Sequence, residues 1–326
     1  MSAQSLPASP SEGAVVRIEN VSLSYGSICA LDAITLDLPA GCMVGLIGPD
    51  GVGKSTLLSL IAGARALQSG RIEVLGGDIS DPQHRKSAYM RIAYMPQGLG
   101  KNLYPTLSVF ENVDFFGRLF GHNRRERKRR IAQLLERTGL APFADRPAGK
   151  LSGGMKQKLG LACALIHKPE ILFLDEPTNG VDPVSRRDFW RILYAMLKEG
   201  VTIFVSTAYL DEAERCTRVG LMHQGRLVQC DTPQKLKEGI PGLLLELETA
   251  QPRVAREALA TRLGSNRVSL FGGKLHLYAA DEGEAEQART VLREANISVL
   301  GENAITPSLE DVFIYQLTRN KVETTA

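Results

Sequence analysis

From Val15 to Leu38 the segments VVRIENVSLSY and LDAITLDL alternate apolar and polar residues with a period of two, the pattern of strands that keep one face in water. They predict an antiparallel β-layer at the start of the fold. From Met43 the pattern changes to short apolar runs, MVGLI, RIEVL, RIAYM, EILFLD, VTIFVS and VGLM, each followed by helix-compatible sequence. Runs of this kind belong to strands buried on both faces, so they predict a mostly parallel sheet flanked by helices. Between Thr106 and Glu136 the period lengthens to that of a helix, with Val109, Val113, Phe116, Leu119 and Phe120 on one stripe. This predicts a helical insert over about 99–155. Gly225 marks a turn between GLMHQ and RLVQC, and TPQKLKEG ends the first unit at Gly239.

A boundary is expected near Ile240, Pro241 and Gly242, because beyond it the pattern restarts. LLLELET reads as a strand, VAREALATRLG as a helix, RVSLF and LHLYA as strands joined by a GGK turn, Asp281 to Ala295 as a helix and ISVLGE as a strand. That order, β-α-β-β-α-β, is the split βαβ pattern of ferredoxin-like domains. The organisation expected is therefore a lead-in over 1–14, a first domain over 15–239 and a small α+β domain over 243–320. The alternative is that the last segment adds strands and helices to the first domain.

The length of 326 residues suits two domains, and 44% hydrophobic with 23% charged residues is an ordinary globular balance. No apolar stretch approaches the roughly 20 residues of a membrane-spanning helix, so the chain is not expected to cross a membrane by itself. The opening MSAQSLPASPSEGA has neither a basic region nor an apolar core, and it reads as an unstructured lead-in rather than a secretory signal. A net charge of +3, from 39 basic and 36 acidic groups, gives no general argument for nucleic acid. Cys29, Cys42, Cys163, Cys216 and Cys230 are widely spaced, with no CxxC pair, and read as reduced and mostly buried thiols.

The chemistry concentrates in three segments. Gly48 to Ser55, GPDGVGKS, fits GxxxxGK[ST] between the apolar run MVGLI and the helical TLLSLIAG. Such a loop turns successive N–H groups toward phosphate oxygens at a helix N-terminus. Its binding segment runs through Gly48, Pro49, Asp50, Gly51, Val52, Gly53, Lys54, Ser55 and Thr56, with Lys54 reaching the β- and γ-phosphates and the Ser55 hydroxyl on Mg²⁺. ILFLDE, Ile171 to Glu176, buries a strand and delivers two carboxylates to its carboxyl end. Asp175 is placed to hold Mg²⁺ and Glu176 to polarise an attacking water. In LSGGMKQKLGLACALI, Ser152, Gly153 and Gly154 open a helix whose free N–H groups suit an anion.

With the three segments together, the sequence resembles an ABC-type ATPase over about residues 15–320, GPDGVGKS being the Walker A segment, ILFLDE the Walker B segment and LSGGM the signature. The resemblance implies a P-loop core of mostly parallel sheet with an antiparallel β-subdomain and a helical subdomain. It implies ATP and Mg²⁺ as cofactors, and nucleotide held between one subunit's phosphate loop and the partner's Ser152, Gly153 and Gly154. Carried over position by position, Tyr25 matches the residue that stacks on adenine, although from sequence alone it reads first as a plain strand aromatic. Gln97 in YMPQ matches the glutamine that senses Mg²⁺ and water and links the core to the helical insert. Asp182 in NGVDP matches the aspartate at the dimer seam.

Three departures stand out. Where the family carries a switch histidine after Thr207, this chain has Ala208, which cannot hydrogen-bond a γ-phosphate. Its own site is therefore expected to turn over slowly, unless Glu176 suffices alone. Asp50 replaces the usual Asn and sets a carboxylate near phosphates, where it must turn away or be paired. Met155 followed by Lys-Gln-Lys resembles drug-export and ABC-2-type ATPases, as does the ending TPSLEDVFIYQL after a small α/β extension.

The resemblance implies an ATP-hydrolysing subunit on the cytoplasmic face of a membrane, with an ABC-2-type permease, a second ATPase subunit and in some systems a membrane-fusion protein as partners, and no nucleic acid. Drug or lipid export is the implied task. The same motifs also resemble the first cassette of tandem-cassette exporters and of a ribosome-associated ATPase, which keeps a translation-machinery role as the alternative. A chromosome or repair ATPase would carry a long coiled coil between Walker A and the signature; the 96-residue step from Ser55 to Leu151 holds no sustained heptads. The basic run GHNRRERKRR, Gly121 to Arg130, reads as the wet face of a helix, or as a contact for anionic lipid or ribosomal RNA. His122, His167 and His223 share no metal-ligand spacing.

Overall fold

The computed structural model describes residues 13–265 and 267–324. Most of the lead-in expected over 1–14 lies outside the described residues; Ala14 already begins the first strand. The chain forms two compact units, one through Cys230 and one from Asp231.

In the first unit, β1 (Ala14–Tyr25) and β2 (Ile28–Pro39) are antiparallel, with Val16 opposite Leu38 and Ile18 opposite Leu36. The period of two holds: Val16, Ile18, Val21 and Leu23 are buried, and the step at Asn20, with φ of 48°, resets the register between Ile18 and Val21. β3 (Met43–Ile47) is buried along its whole length and runs through the glycine-rich loop into α1 (Lys54–Ile61). β4 (Ser69–Val74) then pairs antiparallel with β1, and β5 (Gly77–Asp78) closes a sheet of order β2-β1-β4-β5.

RIEVL therefore lies in the antiparallel layer and not, as its pattern predicts, in the parallel sheet. The reason is an alternation hidden in a short run: Ile72 and Val74 point to the core, while Glu73 faces Arg17 at 3.4 Å and Arg71 at 2.7 Å. After α2 (Pro82–Ala88), capped by Asp81, β6 (Ile92–Met95) begins the buried sheet.

The insert contains α3 (Val109–Leu119), opened by a capping box of Ser108 and Glu111, and α4 (Arg124–Arg137), capped by Asn123. The buried face of α3 is Val109, Asn112, Val113 and Gly117, and Leu119 is 68% exposed instead of lying on the predicted stripe. Asn112 causes the rotation. Its carboxamide nitrogen donates to the carbonyls of Tyr104, Leu107 and Ser108 at 2.9–3.1 Å while its oxygen accepts from Tyr104 N at 2.8 Å, so the helix buries a polar residue to tie down the preceding loop.

The rest of the unit alternates helix and strand: α5 (Gly153–Leu165), β7 (Ile171–Asp175), α6 (Pro183–Lys198), β8 (Thr202–Ser206), α7 (Leu210–Ala213), β9 (Arg218–His223) and β10 (Arg226–Asp231). The second sheet has the order β10-β9-β3-β8-β7-β6, parallel from β9 to β6. β10 turns back at Gln224 and Gly225, whose φ values of 48° and 78° suit the two-residue hairpin read at Gly225. Val44, Leu46, Phe173, Phe204 and Met222 join Ile18, Ile72, Leu57 and Ile61 in one core, so α1 is fixed between the two sheets. That fixation brings the carboxyl ends of β3, β7 and β8 to the N-terminus of α1, the edge at which open α/β sheets hold ligands.

The second unit holds α8 (Pro233–Glu238), β11 (Leu243–Thr249), α9 (Pro252–Leu263), β12 (Val268–Phe271), β13 (Lys274–Ala279), α10 (Glu282–Glu294), β14 (Val299–Ala304) and α11 (Leu309–Thr324). Its sheet order is β12-β13-β11-β14 with antiparallel neighbours, the ferredoxin-like arrangement. Leu245, Leu247, Leu275 and Leu277 meet Ala255, Leu259, Ala288 and Leu292 of α9 and α10 on one face. On the other, α11 is held by Asp311, whose Oδ1 lies 2.7 Å from Nδ1 of His276 and 3.2 Å from the Tyr278 hydroxyl. Among the described residues no helix is long and apolar enough to cross a membrane.

Candidate functional site

The loop between β3 and α1 needs glycine for steric reasons. A Cβ on Gly53 would lie 2.3 Å from the Ala30 carbonyl oxygen, and one on Gly48 2.4 Å from that of Met222. Gly53 is also left-handed, with φ of 108°, as the N-cap of α1. The curl buries Lys54 to 3% exposure, where Nζ donates to Gly48 O at 2.8 Å and Pro49 O at 3.0 Å and lies 3.6 Å from Glu176 Oε1. Asp50 turns away: its side chain is 92% exposed and reaches Lys54 Nζ only at 3.9 Å. Val52 is buried beneath the loop, its N–H donating to Pro49 O at 3.4 Å.

The two carboxylates at the end of β7 have different partners. Asp175 Oδ1 accepts from Ser55 Oγ at 2.9 Å and from Ser206 Oγ at 2.7 Å, which ties β7, β8 and α1 together through one oxygen. Glu176 is 6% exposed and left-handed, with φ of 45°; its backbone N–H donates to Ser206 Oγ at 2.9 Å. Its Oε2 accepts from Gln97 Nε2 at 2.7 Å and from Asn179 Nδ2 at 3.1 Å. Close by on β6, Tyr94 has its hydroxyl pushed up to about 12, first by burial and then by the charge of Asp175, so it stays neutral.

Asp50, Gly51, Gly53, Lys54, Ser55 and Glu176 line a cleft of ≈ 480 Å³ that also takes in Tyr25, Ile28, Ala30, Thr56 and Gln97. The volume suits a small-molecule ligand. Tyr25 is 43% exposed at the end of β1, with its hydroxyl 3.2 Å from Thr56 Oγ1 and the Arg65 guanidinium 5.0 Å over its ring. Ser152, Gly153 and Gly154 do not line this cleft. Ser152 caps α5 by accepting from Met155 N at 3.3 Å, and a Cβ on Gly154 would lie 2.4 Å from the Ser185 side chain. Asp182 is exposed and caps α6, accepting from Ser185 N at 2.9 Å; hydrogen bonds from Ser185 hold its carboxyl below the ordinary range.

Ala208 is exposed at the end of β8, and a cluster beside it has no counterpart in the sequence motifs. Glu212, 1% exposed, accepts from Thr178 Oγ1 at 2.7 Å and from Thr207 Oγ1 at 2.6 Å, with Arg186 Nε at 3.5 Å. The same guanidinium lies 3.9 Å over the Tyr209 ring. Neither this cluster nor Asn179 nor Arg65 stands out in the one-dimensional pattern, because each is recognised only by the partner its side chain meets in the fold; the sole hint for Glu212 is its place in LDEAE, one turn after the altered switch position.

A phosphate loop at the carboxyl edge of a parallel sheet, a lysine on its own loop carbonyls and an adjoining Asp-Glu pair define a P-loop nucleotide-binding protein. The known proteins that the chain matches narrow this further. Residues 31–179 match the ABC transporter family. The probable multidrug ABC transporter ATP-binding protein YbhF of Escherichia coli K12 is 40% identical over 289 residues, covering 87% of this chain and 48% of that protein. The chain thus spans about half the length of that relative. The daunorubicin resistance ATP-binding protein DrrA2 of Streptomyces coeruleorubidus is 34% identical over 321 residues, 96% of this chain and 98% of that one. Among solved structures, a dimeric ATP-binding cassette in a post-hydrolysis state, bound to ADP and Pi, superposes with a TM-score of 0.61 at 26% identity, over 67% of this chain and 98% of that one. The chain belongs to the ATP-binding proteins of the ABC transporter family.

Proposed function

We propose that the chain is the ATP-hydrolysing subunit of an ABC-2-type exporter, driving a separate membrane permease that moves drug-like or lipid-like substrates. The observation that carries the reading is the convergence of Lys54, Ser55, Glu176 and Gln97 on one cleft, with Lys54 Nζ and Glu176 Oε1 3.6 Å apart and Asp175 accepting from the Ser55 hydroxyl at 2.9 Å. Relatives named for multidrug transport, daunorubicin resistance and Nod factor export support the direction and the substrate class.

In this reading the loop from Gly48 to Thr56 wraps the phosphates with its N–H groups, and Lys54 leaves the carbonyls of Gly48 and Pro49 for the β- and γ-phosphates. Glu176 takes the proton of the attacking water as that water adds to the γ-phosphorus and the bond to the β-phosphate oxygen breaks, giving ADP and phosphate. Gln97 and Asn179 hold the carboxylate in place until then. Tyr25 stacks on adenine. The oxygens of Ser55, Asp175 and the Gln97 carboxamide are hard donors, two of them 2.9 Å apart beside the phosphate loop, and they would hold Mg²⁺. When bound, that ion neutralises phosphate charge. Ser152, Gly153 and Gly154 lie away from the cleft and are assigned to the nucleotide of a second ATPase subunit, a sandwich supported by the dimeric cassette that the fold resembles.

The working division is a nucleotide-binding domain over 15–239, with its helical insert over about 99–155, and an accessory domain over 243–320. The assembly sits on the cytoplasmic face of the membrane, in some systems with a membrane-fusion protein. Ala208 leaves the γ-phosphate without the switch side chain, so this chain's site turns over slowly and a histidine-bearing partner subunit supplies most of the flux. Affinity purification of the tagged chain from detergent-solubilised membranes, with mass spectrometry of what accompanies it, tests the assignment. A multi-span permease and a second ATPase subunit are expected; ribosomal proteins in their place would overturn it in favour of the translation-machinery role.

A further inference from the structure

The ten-residue basic run divides into two sets with opposite surroundings. Arg127 and Arg130 turn inward: Arg127 Nε donates to Asp114 at 2.7 Å, and Arg130 donates to the Ile166 carbonyl at 2.7 Å and to Glu126 at 2.6 Å. Those two hold α4 against α3 and α5. Arg124, Arg125, Lys128 and Arg129 are exposed and make no hydrogen bond or ion pair among the described residues. They occupy the first turn and a half of α4, within about 8 Å along its axis. The acidic residue among them, Glu126, is already engaged by Arg130.

An apolar ridge leads to this cluster. Tyr104 and Phe115 are 45% and 38% exposed with ring centroids 4.7 Å apart, and Leu119, one turn further along α3, is 68% exposed. Leu119 precedes Arg124 across a tight turn closed by His122 N donating to Gly117 O at 3.0 Å. The surface therefore sets four free cations beside exposed apolar side chains on the rigid end of a helical hairpin.

We infer that the N-terminal face of α4, with Leu119, is a docking surface for an anionic lipid headgroup layer. The charge pattern is complementary to anionic lipid, and an interface between water and acyl chains receives an apolar side chain at the same place as the cations. Single-stranded nucleic acid asks for something else, a groove lined with flat aromatic faces, whereas Tyr104 and Phe115 are packed edge-on against each other. The effect is to press the helical insert toward the membrane independently of any protein contact, and it does not depend on the ATP chemistry assigned above.

Flotation of the purified full chain with vesicles tests this. Binding is expected to equimolar phosphatidylglycerol and phosphatidylcholine, to weaken steeply with added salt, and to be absent with phosphatidylcholine alone. Arg125→Ala should lower the vesicle partition coefficient about fivefold, and the joint change of Arg124, Arg125, Lys128 and Arg129 to Glu should lower it more than about a hundredfold. Because none of these side chains is part of the nucleotide cleft, ATP affinity serves as the folding control and should not change. Equal binding to neutral vesicles, or parental binding by the fourfold variant that still binds ATP, would overturn the inference. So would failure to bind the anionic vesicles accompanied by tight retention on polyuridylate, which would make the cluster a nucleic-acid contact.

Discussion

Replacing Glu176 by Gln separates binding from chemistry. In the structure Glu176 Oε2 accepts two hydrogen bonds, from Gln97 and Asn179, while Oε1 faces Lys54 Nζ at 3.6 Å. A Gln side chain can keep both bonds only with its carbonyl oxygen in the Oε2 position, which puts its NH₂ toward the Lys54 ammonium. Coulomb attraction at that distance is about 5 kcal/mol with an effective dielectric of about 20, and desolvating two groups that are 3% and 6% exposed offsets most of it. The nucleotide-free state should therefore lose about 1–3 kcal/mol. Bound triphosphate gives Lys54 a new partner, and removing a carboxylate near the γ-phosphate relieves repulsion, so ATP affinity should hold or rise. Loss of the general base should slow hydrolysis by about 10²–10⁴-fold, or roughly 3–5 kcal/mol of barrier. Phosphate release by the purified chain reads the second effect, and light scattering on a sizing column, with and without ATP, reads accumulation of the closed dimer. Phosphate release within about tenfold of the parent at saturating ATP would refute the role given to Glu176.

Further outcomes follow from the same geometry. Ala208→His should raise turnover of the purified chain, and unchanged turnover would show that Glu176 needs no switch side chain. Gly53→Ala should abolish nucleotide binding, since its Cβ would meet Ala30 O at 2.3 Å; retained affinity would contradict the loop geometry. Removing divalent cations with a chelator should stop phosphate release while leaving the far-ultraviolet circular dichroism intact. In the second unit, burial opposes the charge of Asp311, but hydrogen bonds from His276 and Ser308 outweigh it and hold the carboxyl below the ordinary range. Asp114, where burial is likewise overcome by Arg127 and Arg118, behaves in the same way in the first unit. A carboxyl depressed in the folded state adds stability above its unfolded value of about 4 and loses it as the pH falls through the lower folded value. Denaturant midpoints should thus drop below about pH 4, and His276→Ala should shrink that drop.

The nucleotide loop was legible in one dimension because it is local: GPDGVGKS carries its glycines, lysine and hydroxyl in eight consecutive residues. The ferredoxin-like unit was legible for a related reason, since part of its first strand alternates, with Leu245, Leu247 and Thr249 buried against Glu246 and Glu248 on the other face. RIEVL was not, because five residues with three apolar positions fit a doubly buried strand as well as a half-buried one, and only pairing with β1 decides between them. The exposure of Leu119 was hidden by a polar residue taking the buried position: the pattern assumes that Asn112 faces water, and its four hydrogen bonds to the loop before α3 reverse that. Asp50 raised a question of sign that geometry answers, its carboxylate standing in solvent at the rim of the cleft, 3.9 Å from the Lys54 ammonium. Glu212 acts through a partner that sequence separation conceals, meeting Thr178 across 34 positions, whereas Asn179 meets Glu176 close by in the chain but belongs to no motif.

The most direct test of the account is calorimetric titration of the purified chain with ATP and Mg²⁺, beside its Lys54→Ala variant. Lys54 is buried on the loop's own carbonyls and has no role in the core, so the variant should fold and fail to bind, while the parent binds one nucleotide per chain. Equal affinity in the two, or no binding by the parent, would contradict the claim that this cleft is an ATP site.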